Sequence, residues 1–409
     1  MKGLYEELQA RGLVKQSTVE LERLKEILNG PSISVYAGFD PTKKSLHVGH
    51  LIPIMILSHM QKRGHRPICV VGGGTALIGD PSGRDSMREM LTEEKIEENM
   101  RGIKSQLSRF IDFKNEKALL VNNYDWLGFE NYIDFIRKIG PHFTVNRMLT
   151  ADCFKIRMEK GLSFLEFNYM ILQAYDFYTL HQKYHCLLEI GGDDQWSNII
   201  AGVELVRRIE GKEVYGMTNP LLTKSDGKKM GKTEGGAVWL DAELTSPYDY
   251  FQFWRNTTDD DVVRFMKIYT FIPLEEINKY AQLKAEELNS AKEILAYEAT
   301  MIVHGKDEAD KALESARNIF KKGSTEGAPE VILPRSLIVG KPVADVCVSA
   351  GLFESKSEAR RMISQGGLSV NGIKVEDTAL ILTDDHLKNG TIELKKGKKN
   401  YFSLKASGD

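Results

Sequence analysis

Residues 34–51 read SVYAGFDPTKKSLHVGHL. A short apolar run ending at Tyr36 gives way to glycine and turn-forming residues. His47-Val48-Gly49-His50 then stands at the head of an apolar helix, as when a buried strand feeds a helix. The pattern recurs at Pro67 to Val71, Ala118 to Val121 and Cys186 to Ile190. Short buried strands alternating with helices predict an α/β fold with a parallel sheet covered on both faces. Ligands in such sheets bind beyond the carboxyl ends of the strands, so the residues after each run are the candidates for chemistry.

On either side the text changes character. Residues 1–32 space apolar and charged positions helically up to Asn29, Gly30 and Pro31, which predicts an N-terminal helical arm before a sheet domain over 33–245. Ser246-Pro247 reads as an N-cap and first helical position, opening a helical domain over 246–322, with further caps at Asp259 to Asp261 and at Ser290. A small, polar, proline-containing stretch makes 323–334 a linker, leaving 335–409 as a small α+β domain.

The 409 residues are 42% hydrophobic and 27% charged, which excludes wholesale disorder, collagen-like repeats and a disulfide scaffold. Lys and Arg total 55 against 57 Asp and Glu, so the whole chain carries no nucleic-acid signature. Residues 331–409 hold 12 basic and 9 acidic residues, which places a local excess of +3 in the tail. Cys69, Cys153, Cys186 and Cys347 are too far apart for paired metal ligands and too few for an oxidising compartment; reduced thiols, no bound metal and a cytoplasmic location are expected. The longest apolar run, Leu51 to Leu57, contains Pro53 and is far short of a membrane span, so neither a membrane nor DNA is an expected partner.

His47 and His50 share a helical face, and Gly49 between them removes a side chain that would hold a flat ligand off the backbone. A helix N-terminus adds unpaired amides suited to phosphate. About 180 residues later, Lys228-Lys229-Met230-Gly231-Lys232-Thr233 forms a lysine-rich, glycine-flanked segment whose ammonium groups fit a polyphosphate. In the helical run 164–180, Tyr169, Gln173 and Asp176 recur at intervals of four and three inside an apolar stripe. Buried polar groups need partners. Either a bound amino acid supplies them, with Asp176 and Tyr36 bracketing a phenol and Tyr169 and Gln173 taking an ammonium, or the helix satisfies its own polar groups in the core.

The paired segments His47–His50 and Lys229–Thr233 resemble the HIGH and KMSKS signatures of class I aminoacyl-tRNA synthetases. YAGFDPTKKSLHVGHL (36–51), LIGDPSG (77–83), SFLEFNYMILQAYDF (163–177), IGGDDQWSN (190–198) and KMGKT (229–233) together closely resemble the bacterial-type tyrosyl-tRNA synthetase family over nearly the whole chain. That resemblance implies a Rossmann-like catalytic domain, a helical tRNA-binding domain and an αL-type RNA-binding domain. By the same resemblance Tyr36 and Asp176 contact the substrate hydroxyl, Tyr169, Gln173 and Asp80 the ammonium, and Gln195 the carboxylate region. Gly38, Asp40, Thr42, His47, Gly49, His50, Gly192, Asp194, Lys229 and Lys232 line the ATP site. His47, His50, Lys229, Lys232 and Thr233 carry the catalytic role.

Gly231, Glu189, Asp193 and Ser197 depart from the family pattern. Gly72-Gly73-Gly74 lacks the third glycine of a dinucleotide fingerprint, and Gly74 to Gly79 has Asp80 where a P-loop needs lysine, so these glycines are assigned to close backbone packing against the substrate. In the tail, Ser355 and Glu358 form a capping box opening a helix with Arg360 and Arg361, and Asn371-Gly372 between alternating apolar residues signals a hairpin. Arg360, Arg361, Lys395 and Lys396 are the RNA-binding candidates.

The implied activity is ATP-dependent activation of L-tyrosine to tyrosyl-adenylate, with magnesium accompanying ATP, followed by transfer to the 3′ end of tRNA(Tyr). The alternatives are a tryptophan-specific relative and a non-catalytic RNA-binding homologue. The resemblance also implies a homodimer, with 125–165 as the contact region.

Overall fold

The computed structural model describes residues 3–82, 91–221, 223, 225, 232–233, 236–283, 287–322, 330–397 and 400–407. The chain divides into two compact units, one formed by Met1–Ser246 with Phe253–His304, the other by Pro247–Gln252 with Gly305–Asp409.

The first unit is built on six strands, β1 (Gln16–Ser17), β2 (Ser34–Phe39), β3 (Arg66–Val71), β4 (Leu119–Asn122), β5 (Cys186–Gly192) and β6 (Tyr215–Asn219), in the order β1-β6-β5-β2-β3-β4. All neighbours run parallel except β1, which pairs antiparallel to β6. The chain winds outward from β2 through β3 to β4, then returns to place β5 and β6 on the other side, so the strand order reverses between β2 and β5. That reversal opens the crevice in which α/β sheets bind ligands.

Helices α1 (Leu4–Ala10), α2 (Leu21–Asn29), α3 (Leu51–Lys62), α4 (Glu93–Leu107), α5 (Phe164–Tyr184), α6 (Trp196–Glu210), α7 (Asp259–Tyr269) and α8 (Leu288–His304) accompany the sheet. Helix α3 packs on β2, β3 and β5, while α5 packs on β5 and α6 on β5 and β6. Period-two alternation sorts the strand residues: Tyr36, Ile68 and Val70 join one core cluster with Ala174, Phe177 and Leu180 of α5. A 3₁₀ turn, Val48–His50, joins the signature loop to α3, and Pro53 sits in the first turn of α3, where its missing N–H costs no helical bond. The hairpin β7 (Lys232–Thr233) and β8 (Gly236–Ala237) follows.

The organisation departs from expectation in several places. Residues 16–17 of the helical arm are a strand, because their amides and carbonyls complete the edge of β6. Strand β6 went unread: Gly216, Thr218 and Asn219 interrupt its apolar character although all five residues are buried. The span 246–322 is not one helical body. Helix α7 packs on α3 and α8 within the first unit, whereas α9 (Lys306–Lys322) groups with the second. Ser290, expected as a cap, lies inside α8.

The second unit contains α10 (Val343–Ser349), α11 (Lys356–Ser364) and a sheet of β9 (Glu330–Pro334), β10 (Leu368–Val370), β11 (Ile373–Lys374), β12 (Thr391–Lys396) and β13 (Asn400–Ser407), ordered β11-β10-β12-β13-β9. Residues 330–334, expected as linker, are therefore strand β9, whose alternating Val331 and Leu333 face the core while it pairs parallel to β13. Residues 323–329 of that linker lie outside the described residues. Asn371 and Gly372 take φ of 49° and 80°, the left-handed pair that a two-residue hairpin between β10 and β11 requires.

Candidate active site

Backbone pairing ties the histidine turn to residues 238–240, a few positions beyond the lysine segment. The Val48 amide donates to the Val238 carbonyl (3.0 Å) and the Leu240 amide to the Leu46 carbonyl (2.9 Å), with His47 bridged to Trp239. Lys232 of β7 is the register partner of Ala237, immediately before this pairing. The chain thus passes from Lys232, through its partner Ala237, directly into the stretch paired with the histidine turn. Lys228, Lys229 and Gly231 lie outside the described residues.

In the turn, His47 Nδ1 accepts from the Gly49 amide (3.0 Å) and His50 Nδ1 accepts from the His47 amide (3.1 Å). Both contacts put the proton of the neutral ring on Nε2, making that atom a hydrogen-bond donor. The rings lie 3.9 Å apart between centroids. A Cβ on Gly49 would lie 2.8 Å from the His47 ring, so the glycine lets that ring fold back over the turn. Gly38, by contrast, is exposed with open space where a side chain would stand.

Asp40, at the end of β2, joins the nucleotide-side residues to the amino-acid pocket. Its Oδ1 accepts from Thr75 Oγ1 (2.9 Å) and its Oδ2 from the Tyr169 hydroxyl (3.0 Å). Its backbone carbonyl accepts the Thr42 amide (2.8 Å). Thr75 Oγ1 in turn accepts from Asn123 Nδ2 (3.0 Å), which also donates to Asp176 Oδ2 (2.9 Å), while Trp126 Nε1 donates to Asp176 Oδ1 (2.7 Å). Asp176 is 4% exposed; burial, with Asp40 and Glu189 nearby, raises its carboxyl well above the ordinary range. This chain of hydrogen bonds crosses the carboxyl ends of β2, β3 and β4.

Thr75, Asn123 and Trp126 were not among the residues read from sequence. The Asn122-Asn123 pair directly after an apolar strand was the available signal, since that is where such sheets place ligand groups. The glycines of 72–74 leave room for side chains of this region. A Cβ on Gly72 would lie 2.1 Å from Asp40 Oδ1, one on Gly73 2.3 Å from Asn122 Oδ1, and one on Gly74 3.1 Å from Leu127.

Tyr36 is 2% exposed on β2 and is the register partner of Glu189 on β5. Its hydroxyl feels both Glu189 and Asp176, and burial beside these carboxyls holds the phenol proton firmly. Gln173 Nε2 donates to Glu189 Oε1 (2.9 Å). On the other side of the pocket Asp80 Oδ2 accepts from Gln195 Nε2 (2.8 Å) and its Oδ1 from the Ser82 amide (2.9 Å). Gly192 lets the Asp194 carboxylate fold back, since a Cβ there would lie 2.5 Å from it.

Two of the departures have structural reasons. Asp193 Oδ1 accepts from Gln16 (2.8 Å) and Thr218 (3.0 Å), fastening β1 and β6 at the sheet edge rather than entering the pocket. Ser197 lies against the Cys153 thiol, which burial pushes up to about 12. The four cysteines are all buried and free. Among the described residues no cluster of His, Cys, Asp and Glu is placed to hold a metal ion, and no helix is long and apolar enough to cross a membrane.

In the second unit Arg360 and Arg361 are exposed on α11, where Ser355 accepts the Glu358 amide. Lys396 is turned inward: its Nζ donates to the Leu352 carbonyl (2.6 Å) and sits 4.1 Å from the centre of the Phe353 ring. Lys395 lies over Tyr401 at 4.9 Å.

Comparison with known proteins agrees with this arrangement. Residues 28–321 match the family model for class I tRNA synthetases (W and Y), and residues 322–404 match the tyrosine–tRNA ligase SYY-like C-terminal domain. The chain is 53% identical over 407 residues to a tyrosine–tRNA ligase of Acetivibrio thermocellus, covering 99% of this chain and 100% of that one. It is 54% identical over 405 residues to that of Clostridium beijerinckii, covering 99% of each. Among solved structures, a C-terminally truncated mitochondrial tyrosyl-tRNA synthetase of Aspergillus nidulans superposes with a TM-score of 0.71 at 32% identity, covering 78% of this chain and 95% of that one. By these matches over nearly its whole length, the chain belongs to the tyrosyl-tRNA synthetase family of class I aminoacyl-tRNA synthetases.

Proposed function

We propose that the residues gathered at the β2–β5 crevice activate L-tyrosine with ATP, and that the same chain then charges tRNA(Tyr). Its family makes it a tyrosine–tRNA ligase, and neither a tryptophan-specific enzyme nor a non-catalytic homologue is favoured. The tyrosine carboxylate attacks the α-phosphorus in line. The bond to the bridging oxygen breaks, and pyrophosphate leaves as its magnesium complex. The terminal ribose hydroxyl of tRNA then attacks the acyl carbon and AMP departs. Positioning and charge stabilisation do the work, without a side-chain nucleophile. The Nε2–H groups of His47 and His50 donate to phosphate oxygens, and Lys229 and Lys232 neutralise the leaving group. Asp40, Thr42, Gly38, Gly49, Gly192 and Asp194 line the nucleotide. Tyr36 and Asp176 take the phenol, Tyr169, Gln173 and Asp80 the ammonium, and Gln195 the carboxylate side.

The backbone pairing of 46–48 with 238–240 carries this reading, because it supports bringing the chain just after the lysine segment to the histidine turn. Tyrosine-dependent exchange of pyrophosphate into ATP tests it. Lys232→Ala should lower the exchange rate constant by about 100-fold while changing tyrosine affinity less than about twofold, as for a group that acts on the transition state. Equal losses in both would count against the assignment.

The chain is proposed to act as a homodimer in the cytoplasm, with buried, unpaired cysteines suiting a reducing compartment. Between 129 and 164, Phe129, Tyr132, Ile133, Val145, Met158 and Phe164 are exposed, Phe129 at 81% and Phe164 at 72%. Such a concentration of apolar side chains supports a protein–protein contact. In the C-terminal unit, Arg360 and Arg361 are proposed to meet tRNA phosphates directly. Lys395 and Lys396 contribute field rather than contact, given their packing on Tyr401 and Phe353.

A further inference from the structure

Glu189 has no place in the reaction outlined above, yet it is a 2%-exposed carboxyl at the point where the strand order reverses. Its Oε1 accepts from Gln173 Nε2 (2.9 Å), and the other face of the carboxyl is buried against the hydroxyl of Tyr36, its register partner on the next strand, the two interacting without a well-formed hydrogen bond between Oε2 and the phenol. Room for Oε2 comes from Gly202 of α6, where a Cβ would lie 3.2 Å away. Among the described residues no cation pairs with it. A buried carboxylate with only Gln173 and the Tyr36 hydroxyl beside it, and no cation, is costly, so burial favours the neutral acid.

We propose that Glu189 is a positioning residue of the tyrosine pocket: it sets the hydrogen-bond sense of Gln173 and Tyr36, and it does so as the neutral acid when tyrosine is bound. This rests on the assignment of the pocket to tyrosine. Gln173, by giving its N–H to Glu189, is left with its carbonyl oxygen toward the ligand, the correct sense for an ammonium. Tyr36 has one proton. Asp176 holds two N–H donors and keeps its acceptor character, so the ligand phenol donates to Asp176 and its oxygen then needs a donor. An ionised Glu189 only accepts and draws the Tyr36 proton to itself, leaving two acceptors facing one ligand proton. A neutral Glu189 donates to the Tyr36 oxygen, Tyr36 donates to the ligand phenol, and the phenol donates to Asp176, so every proton has an acceptor.

The surroundings agree. Burial raises the Glu189 carboxyl to about 7, which makes the neutral acid accessible near neutrality. The titratable groups facing it are Tyr36 from β2, Asp176 from α5 and Cys186 on its own strand, while α6 and β6 present Gly202 and Gly216. Tyr36 and Cys186 keep their protons, and Asp176 is raised as well, so the contribution of Glu189 must be isolated by difference.

Equilibrium dialysis of labelled tyrosine against the full-length protein tests this from about pH 6 to about pH 8.5, with ATP binding measured in parallel as a control on the fold. Glu189→Gln keeps a carbonyl for Gln173 and offers Tyr36 a permanent donor. The ratio of wild-type to E189Q Kd should therefore rise about tenfold across this range. Glu189→Met removes the acceptor for Gln173 and should raise the tyrosine Kd about tenfold at every pH, with ATP binding unchanged. A ratio that is flat or falls with pH, or an E189M that binds tyrosine normally, overturns the proposal. A wild-type protein that does not bind tyrosine at all overturns the pocket assignment itself.

Discussion

Asp176 is held by Asn123 and Trp126, whose N–H groups orient both of its oxygens. Preorganisation of this kind keeps the cost of ordering out of the binding step. On the proposed assignment of the phenol to this carboxyl, a ligand that lacks the hydroxyl leaves a buried polar group unsatisfied and should be rejected. Asp176→Asn would set an amide N–H against the donors of Asn123 and Trp126. It should reduce discrimination between tyrosine and phenylalanine by about 10–100-fold, the loss of one hydrogen bond to a charged group, read as the ratio of kcat/KM in pyrophosphate exchange. Unchanged discrimination would place the phenol elsewhere.

At the scale of elements, the N-terminal arm is a structural fastener rather than an appendage. Arg11, at the end of α1, is buried and donates to the carbonyls of Lys267 (2.9 Å), Thr270 (3.1 Å) and Ile272 (3.0 Å), satisfying the C-terminal end of α7 and the loop beyond it. Glu7 completes the junction, accepting from Arg63 (2.8 Å) and facing His59, whose ring burial keeps neutral by lowering its pKa to about 3. Arg11→Met would leave those carbonyls unpaired and should lower stability by about 2–4 kcal/mol in denaturant unfolding. Tyrosine affinity should stay unchanged, because none of these groups reaches the pocket. A stability change within about 0.5 kcal/mol would show that water replaces the guanidinium without penalty.

For the whole molecule, the exposed apolar side chains between 129 and 164 bear on assembly. If the proposed homodimer forms through this face, Phe164→Asp combined with Ile133→Asp should yield a monomer in sedimentation velocity at micromolar concentration, because burying two carboxylates in an apolar contact is strongly disfavoured. An unchanged sedimentation coefficient would assign the contact elsewhere. The C-terminal unit allows a separate test. Arg360→Glu with Arg361→Glu should raise the KM for tRNA by about tenfold and leave pyrophosphate exchange intact, since exchange needs no tRNA. Parallel losses in both reactions would mean that the substitutions act through folding.

Much of this protein was legible before folding. Alternation of short apolar runs with helices determined the parallel sheet, because burial on both faces forces near-continuous apolar strands. The spacing of Tyr169, Gln173 and Asp176 determined that they share a face of α5, since helix geometry is local. The Asn371-Gly372 turn was readable for the same reason. Tertiary structure alone decided what depends on segments distant in sequence. Gln16 and Thr218 turn Asp193 away from the pocket, Asn123 and Trp126 claim Asp176, and Tyr36 meets Glu189 only because β2 and β5 become neighbours. Local pattern specifies which face a residue occupies, whereas the partner it finds there is set by strand order, which no single stretch of sequence contains.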